Sequence, residues 1–254
     1  MKYLIEAAHS LWMKFESEVK HNNRYIIKSE FLKYFDKLCK RQNNIEIVEP
    51  GRIYYRARIV NELSKINPKS WDDGFYGFSK EECLAPPPDK AKSGRANPKY
   101  ISYLYLGEDE KTALAEVRPY KKQHISIAKI KNIKELKLFC FRFIENDISN
   151  RHYDKQLMSW ISLAYALPVN NDEEINYFPT QYLAEYIKNK GFDGFKYDSS
   201  LLCGGTNVTL FDQSNVEALN SKLYMVQRVE YYADEVLPRD NDNKIIPKDS
   251  TYRI

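Results

Sequence analysis

The chain has 254 residues, long enough to bury a sizeable core, and its 43% apolar and 29% charged residues are ordinary globular proportions. That balance excludes a disordered or membrane-embedded class, and a net charge of +4 is too small to argue for nucleic acid. The 20 Tyr and 12 Phe against 3 Trp fit either a deep polar cleft edged by tyrosines or a plain compositional bias.

Residues 3–41 carry helical periodicity. Leu4, Ala7, Ala8, Leu11, Phe15 and Val19 mark one apolar face, and Ile26, Phe31, Leu32, Phe35 and Leu38 a second. A break is expected at Asn22-Asn23. Charges interrupt the apolar N-terminal stretch, so it lacks the h-region of a signal peptide, and no apolar window is long enough to span a membrane. A cytoplasmic setting and free thiols are therefore expected. Residues 1–50 read as a helical extension packed on the main domain, with Gln42–Gly51 as a connector ending in a Pro50-Gly51 turn.

Arg52–Val60 alternates and is rich in β-formers, which predicts a strand. Residues 61–100 are irregular, and loops of that length in compact domains are usually functional or disordered. A short strand follows at Ile101–Leu106, then a helix over Asp109–Val117, N-capped by Asp109 and ended by Pro119. Strands are predicted at His124–Ile130 and Leu136–Phe143. Residues 145–190 are mostly helical, with candidates at Tyr153–Ala166 and at Tyr182–Lys190, the latter stopped by Gly191. Strands Phe192–Tyr197 and Val208–Phe211 flank a small-residue loop, Asp198–Asn207. Val216–Val229 is strand-rich, and residues 231–254 read as a polar, irregular tail. Strands and helices interleave without βαβ regularity, so the fold class is α+β.

Three clusters carry chemistry. In Ser93-Gly94-Arg95-Ala96-Asn97-Pro98, Gly94 frees the backbone and Arg95 offers a planar fork of donors for phosphate or carboxylate. The same residues also fit a turn with a surface arginine. Tyr105 ends the next strand, and Glu116 lies in the small, apolar stretch Thr112–Val117. A partly buried carboxylate there is either functional or paired with Arg118 or Arg95. The third cluster runs from Gly191 through Tyr197-Asp198-Ser199-Ser200 to Gly204-Gly205-Thr206-Asn207. It lacks the lysine and spacing of a P-loop, and Gly-Gly loops are common. The four cysteines form no CxxC pair and the four histidines no HExxH, so no zinc site is expected.

In series, these stretches resemble the RES domain family. The likeness comprises Ile53–Arg58, Gly94–Pro98, Leu104–Leu106, Thr112–Val117 and Gly191–Ser200 running into Gly204–Phe211, and spans roughly residues 50–212. The resemblance implies an ADP-ribosyltransferase-like mixed sheet core over residues 51–230 and NAD⁺ as substrate, with no metal. It aligns Arg95, Tyr105 and Glu116 with the family's pocket arginine, tyrosine and glutamate, and Arg56 with an additional arginine. Ser199 aligns with the family serine, although the adjacent Ser200 could take that place, and Asn207 with an asparagine after the serine loop.

By that resemblance, Glu116 would stabilise an oxocarbenium-like transition state as the nicotinamide–ribose bond breaks. Arg95 and Arg56 would clamp the pyrophosphate, Tyr105 would stack on or edge the nicotinamide ring, and Ser199 would orient ribose or phosphate. The expected function is NAD⁺ degradation by glycohydrolysis or phosphorolysis, as a toxin or defence effector held in check by an antitoxin or other regulatory protein. Inorganic phosphate or a protein is the alternative acceptor to water, a protein acceptor making the chain an ADP-ribosyltransferase. A non-catalytic nucleotide-binding module is a further alternative, against which the joint presence of Arg95, Tyr105 and Glu116 argues.

Overall fold

The computed structural model describes residues 2–66, 68–141, 152–166, 174–230, 232–236 and 247–253. Among these, helix α1 (Lys2–Ser17) runs into a π turn over Glu18–Asn22, and Asn23 leaves it in extended backbone, at the expected break. Helix α2 (Glu30–Cys39) starts at Ser29, whose side chain accepts from the Phe31 amide. Ile26 therefore falls before α2, and it is exposed.

Strand β1 (Ile45–Val48) pairs antiparallel with β5 (Leu136–Cys140), so the expected connector holds an edge strand. The strand is four residues long and only Val48 is buried, which leaves no alternation in the sequence to mark it. The remaining strands of the main sheet are β2 (Ile53–Val60), β3 (Leu104–Gly107), β4 (His124–Asn132), β6 (Gly194–Asp198), β7 (Thr206–Leu210) and β8 (Val216–Met225). They form one eight-stranded mixed sheet in the order β1-β5-β6-β7-β3-β2-β4-β8. Only β5 and β6 run parallel within it. The predicted strand end at Phe143 and the start of the helical region at residue 145 lie outside the described residues.

One face of β5, β6, β7 and β3 is covered by α1, α2, α4 (His152–Ala166) and α5 (Phe178–Asn189). Phe15 stacks on Phe31 at 4.2 Å, Phe31 lies beside Phe35, and Phe35 meets Phe139 of β5 at 5.5 Å. Each such buried ring contributes roughly 1.5–3 kcal/mol relative to exposure. The stretch over residues 1–50, read from its periodicity as a helical extension packed on the main domain, supplies side chains to the same core as the sheet. Farther along this face, α3 (Glu110–Glu116) packs Ala113 on Ala57, Ile125 and Ile127 of β2 and β4.

The opposite face is covered by the irregular segment between β2 and β3, through Ile66, Phe75, Phe78, Cys83 and Ala85. It also buries Lys196, which pairs with Glu46 at 2.8 Å and with Glu108. In the C-terminal stretch, expected to be irregular, β9 (Tyr232–Val236) and β10 (Pro247–Arg253) pair antiparallel as a separate ribbon. Its polar sequence hid the pairing, since a two-stranded ribbon needs no apolar alternation to form main-chain hydrogen bonds.

Candidate active site

The cavity arises where two strands part. β2 and β3 are paired only at Tyr55 and Gly107, and beyond that point Arg56 and Ala57 diverge from Leu106 and Tyr105. Four residues directly opposed across neighbouring strands, Tyr197, Asn207, Gly107 and Tyr55, make its floor. Gly107 lets α3 approach: a Cβ there would come within 2.7 Å of the Ala113 nitrogen. The cavity holds about 480 Å³ between α3 on one side and the Gly94-Arg95 turn with Tyr177 on the other.

Asp109 caps α3 as expected, accepting from the Thr112 amide at 2.8 Å and from the Thr112 hydroxyl at 2.6 Å. This fixes the helix that ends on Glu116. The Glu116 Oε1 atom accepts from the Ser199 hydroxyl at 2.7 Å and from Asn207 Nδ2 at 2.8 Å. Both bonds fall on one oxygen, so among the described residues Oε2 is left to face a ligand. No ion pair joins Glu116 to Arg95 or Arg118 among the described residues, which removes the salt-bridge alternative.

Ser199 is itself over-determined. Its Oγ accepts from the amides of Leu201 and Leu202, each at 3.2 Å, so its single proton points to Glu116. Gly204, at φ +75, turns the loop, and a Cβ on Gly205 would lie 2.7 Å from the Thr112 hydroxyl. The glycine pair thus closes the serine loop onto α3. Ser200 points elsewhere: its hydroxyl donates to the Ala166 carbonyl at 2.7 Å.

Arg95 reaches the same helix end, NH1 donating to the Tyr165 carbonyl at 2.7 Å. The last carbonyls of α4 lack intrahelical partners, and a cation there also complements the helix dipole. Arg95 still lines the cavity, as does Arg56, whose NH1 donates to the Leu84 carbonyl. Burial, with Arg58 close by, lowers the Arg56 pKa to about 10.

The Tyr105 ring lines the cavity, but its hydroxyl is committed to the arginine turn. It donates to Asn97 Oδ1 at 2.6 Å and accepts from the Ala96 amide at 3.1 Å. Burial raises its pKa well above the ordinary phenol value, so it stays protonated. Burial and then the Glu116 carboxylate push Tyr197 up to about 12. The buried Gln181 completes the turn, its Nε2 donating to Ser93 Oγ, the Gly94 carbonyl and the Asn97 carbonyl at 2.8–3.0 Å.

The structure therefore brings Arg95, Tyr105, Glu116, Ser199, Asn207 and Arg56 together and turns Ser200 away. Tyr55 and Tyr197 on the floor, Tyr177 and Arg118 on the walls, and Gln181 behind them were not among the expected site residues. Tyr55 and Tyr197 lie within stretches that carry the resemblance, and Arg118 stands directly before the proline that ends a helix, whereas Tyr177 and Gln181 left no signal. Among the described residues, no group of three or more His, Cys, Asp or Glu side chains could hold a metal ion, and no helix is long and apolar enough to cross a membrane.

A mixed α+β fold with a carboxylate, arginines and tyrosines around a cleft in its sheet is the class that these features define. The sequence model of the RES domain matches residues 67–234, well over half of the chain, and the chain belongs to that family. The matched segment begins after β2, so Arg56 lies outside it. A comparison with curated proteins found no significant match. Among solved structures, one match is the crystal structure of the M. tuberculosis MbcT–MbcA toxin–antitoxin complex, at 8% identity and a TM-score of 0.39, covering 71% of this chain and 87% of that one.

Proposed function

We propose that the chain degrades NAD⁺ by cleaving its nicotinamide–ribose bond. The observation that carries this reading is Glu116: a carboxylate with one oxygen pinned by Ser199 and Asn207 and the other facing a cavity edged by Arg95 and Arg56. The electron pair of the broken bond leaves with nicotinamide, a neutral leaving group. Positive charge develops on the ribose, and a fixed anion beside it lowers the barrier without having to reorganise. The acceptor oxygen then bonds to the anomeric carbon and gives up a proton, which the free Glu116 oxygen takes as base.

The arginines bind phosphate through the donors that the Tyr165 and Leu84 carbonyls leave open. Tyr105, with its hydroxyl tied to Asn97, offers the ring edge or face alone. Water or inorganic phosphate is the acceptor in this reading, and a protein acceptor is its alternative. The resemblance to the family's toxins extends the proposal to an antitoxin or other regulatory protein covering the cleft, and to a cytoplasmic site of action.

The test is to incubate the purified chain with NAD⁺, with and without phosphate, and to separate the products by mass. ADP-ribose without phosphate identifies a glycohydrolase, and ADP-ribose-1″-phosphate appearing only with phosphate identifies a phosphorylase. Labelled protein in a lysate points to transfer. NAD⁺ intact under every condition contradicts the proposal.

A further inference from the structure

The chain leaves α3 in an unusual way. Glu116 is the last helical residue, Val117 is the cap, and Arg118 follows at φ +46, its amide donating to the Ala115 carbonyl at 3.0 Å. A left-handed residue after a helix is the ordinary place for glycine, because a Cβ there crowds the backbone. Pro119 restricts the position further by disfavouring the right-handed helical conformation before it. Tyr100 and Lys122 share a positive φ, but of the three only Arg118 lines the cavity.

Packing does not repay that strain. Arg118 is exposed at the cavity rim, and its guanidinium makes no hydrogen bond or ion pair with any described residue. The other two arginines of the cavity each spend a donor on the fold, Arg95 on Tyr165 and Arg56 on Leu84. Among the described residues, Arg118 is the cavity arginine that keeps all five donors for a ligand.

We propose that Arg118 is a further substrate-binding residue, its guanidinium taking the pyrophosphate oxygens of the dinucleotide at the cavity rim. This rests on the reading of the cavity as a dinucleotide site. The order along the chain matches the order along the ligand. The 5′-phosphate hangs from the same ribose whose anomeric carbon is cleaved, and Arg118 hangs from the same turn as the carboxylate facing that ribose. A planar fork suits two oxygens of one phosphate, and freedom from other partners lets it follow the substrate in.

The backbone supplies a clean test. Arg118→Gly removes the guanidinium and at the same time relieves the left-handed strain, so its Tm should equal or exceed that of the wild type. Its Kd for ADP-ribose, measured by calorimetric titration, should nevertheless rise about tenfold, equivalent to about 1.4 kcal/mol. Nicotinamide riboside, which carries the ribose without phosphate, should not show that rise. Arg118→Lys should recover part of the affinity as a point charge.

Three results overturn the proposal while leaving the cavity reading in place. The first is wild-type ADP-ribose affinity in Arg118→Gly, and the second an equal loss for nicotinamide riboside. The third is a change confined to the dependence on inorganic phosphate, which would place Arg118 on the acceptor. Failure of the wild-type chain to bind ADP-ribose at all overturns the cavity reading itself.

Discussion

Gln181 sits on α5, outside the cavity, yet three acceptors of the arginine turn converge on its amide nitrogen. An amide NH₂ carries two protons, so the Ser93 hydroxyl and the Gly94 and Asn97 carbonyls share them. Gln181→Ala removes both donors; the Asn97 carbonyl keeps the Gly94 amide at 2.8 Å, but the Gly94 carbonyl is left facing a void. A buried acceptor without a partner costs about 1–3 kcal/mol, so the one carbonyl left open loses about 2 kcal/mol. For a chain of this size that is a fall in Tm of about 4–8 °C. Gln181→Glu should be worse, since it sets carboxylate oxygens against the Gly94 and Asn97 carbonyls. Thermal unfolding of both variants, alongside KM and kcat for NAD⁺, checks the reasoning. KM should rise by a larger factor than kcat falls, because the turn positions Arg95 and leaves Glu116 untouched. A Tm for Gln181→Ala within about 2 °C of the wild type, or a Glu variant steadier than the Ala variant, would refute it.

Other consequences are smaller. In Gly94→Ala the new Cβ would meet Asn97 Oδ1 at 2.8 Å and the Tyr105 hydroxyl at 2.9 Å, pushing apart a hydrogen-bonded pair. A loss of about 1–2 kcal/mol is expected in a denaturant titration, with a raised KM for NAD⁺. Burial pushes the thiols of Cys39 and Cys140 up to about 12 and that of Cys83 to about 11, whereas Cys203 is exposed. Alkylation of the native chain at pH 8 should therefore mark Cys203 alone by mass spectrometry, and all four after denaturation. Lys190 and Lys40 hold the Asp36 carboxyl well below the usual carboxylate range, tying α2 to α5. A depressed folded pKa gives stability that is present above the unfolded value, about 4, and is lost as pH falls. Asp36→Asn should flatten the decline in Tm on acidification from pH 5 to 3, by a small amount because the pair is partly solvated.

Periodic elements were legible where periodicity is what the structure uses. Phe31, Phe35 and Leu38 stand at helical spacing because they face one core, and Asp109 is a cap because its carboxylate matches free amides of the first turn. The spacing of Leu11, Phe15 and Val19 shows which face is apolar but not what it meets, so the side chains that α1 and α2 share a core with were not legible. β1 was illegible because its pairing depends on β5, some ninety residues away. Of the cavity, the order of Arg95, Tyr105 and Glu116 could be read, but the commitment of individual atoms could not. Sequence cannot say that the Tyr105 hydroxyl belongs to Asn97, or that Ser200 caps α4 while the neighbouring Ser199 holds Glu116. Those distinctions depend on two residues of one loop pointing opposite ways.

Bond cleavage turns on the charge of Glu116, and one substitution isolates it. Glu116→Gln keeps the length of the side chain and an acceptor for Ser199 or Asn207, but it removes the anion. NAD⁺ consumption by this variant should fall about 10²–10³-fold, as expected for losing a preorganised electrostatic partner, with Tm close to that of the wild type. A variant that consumes NAD⁺ as fast as the wild type would contradict the account.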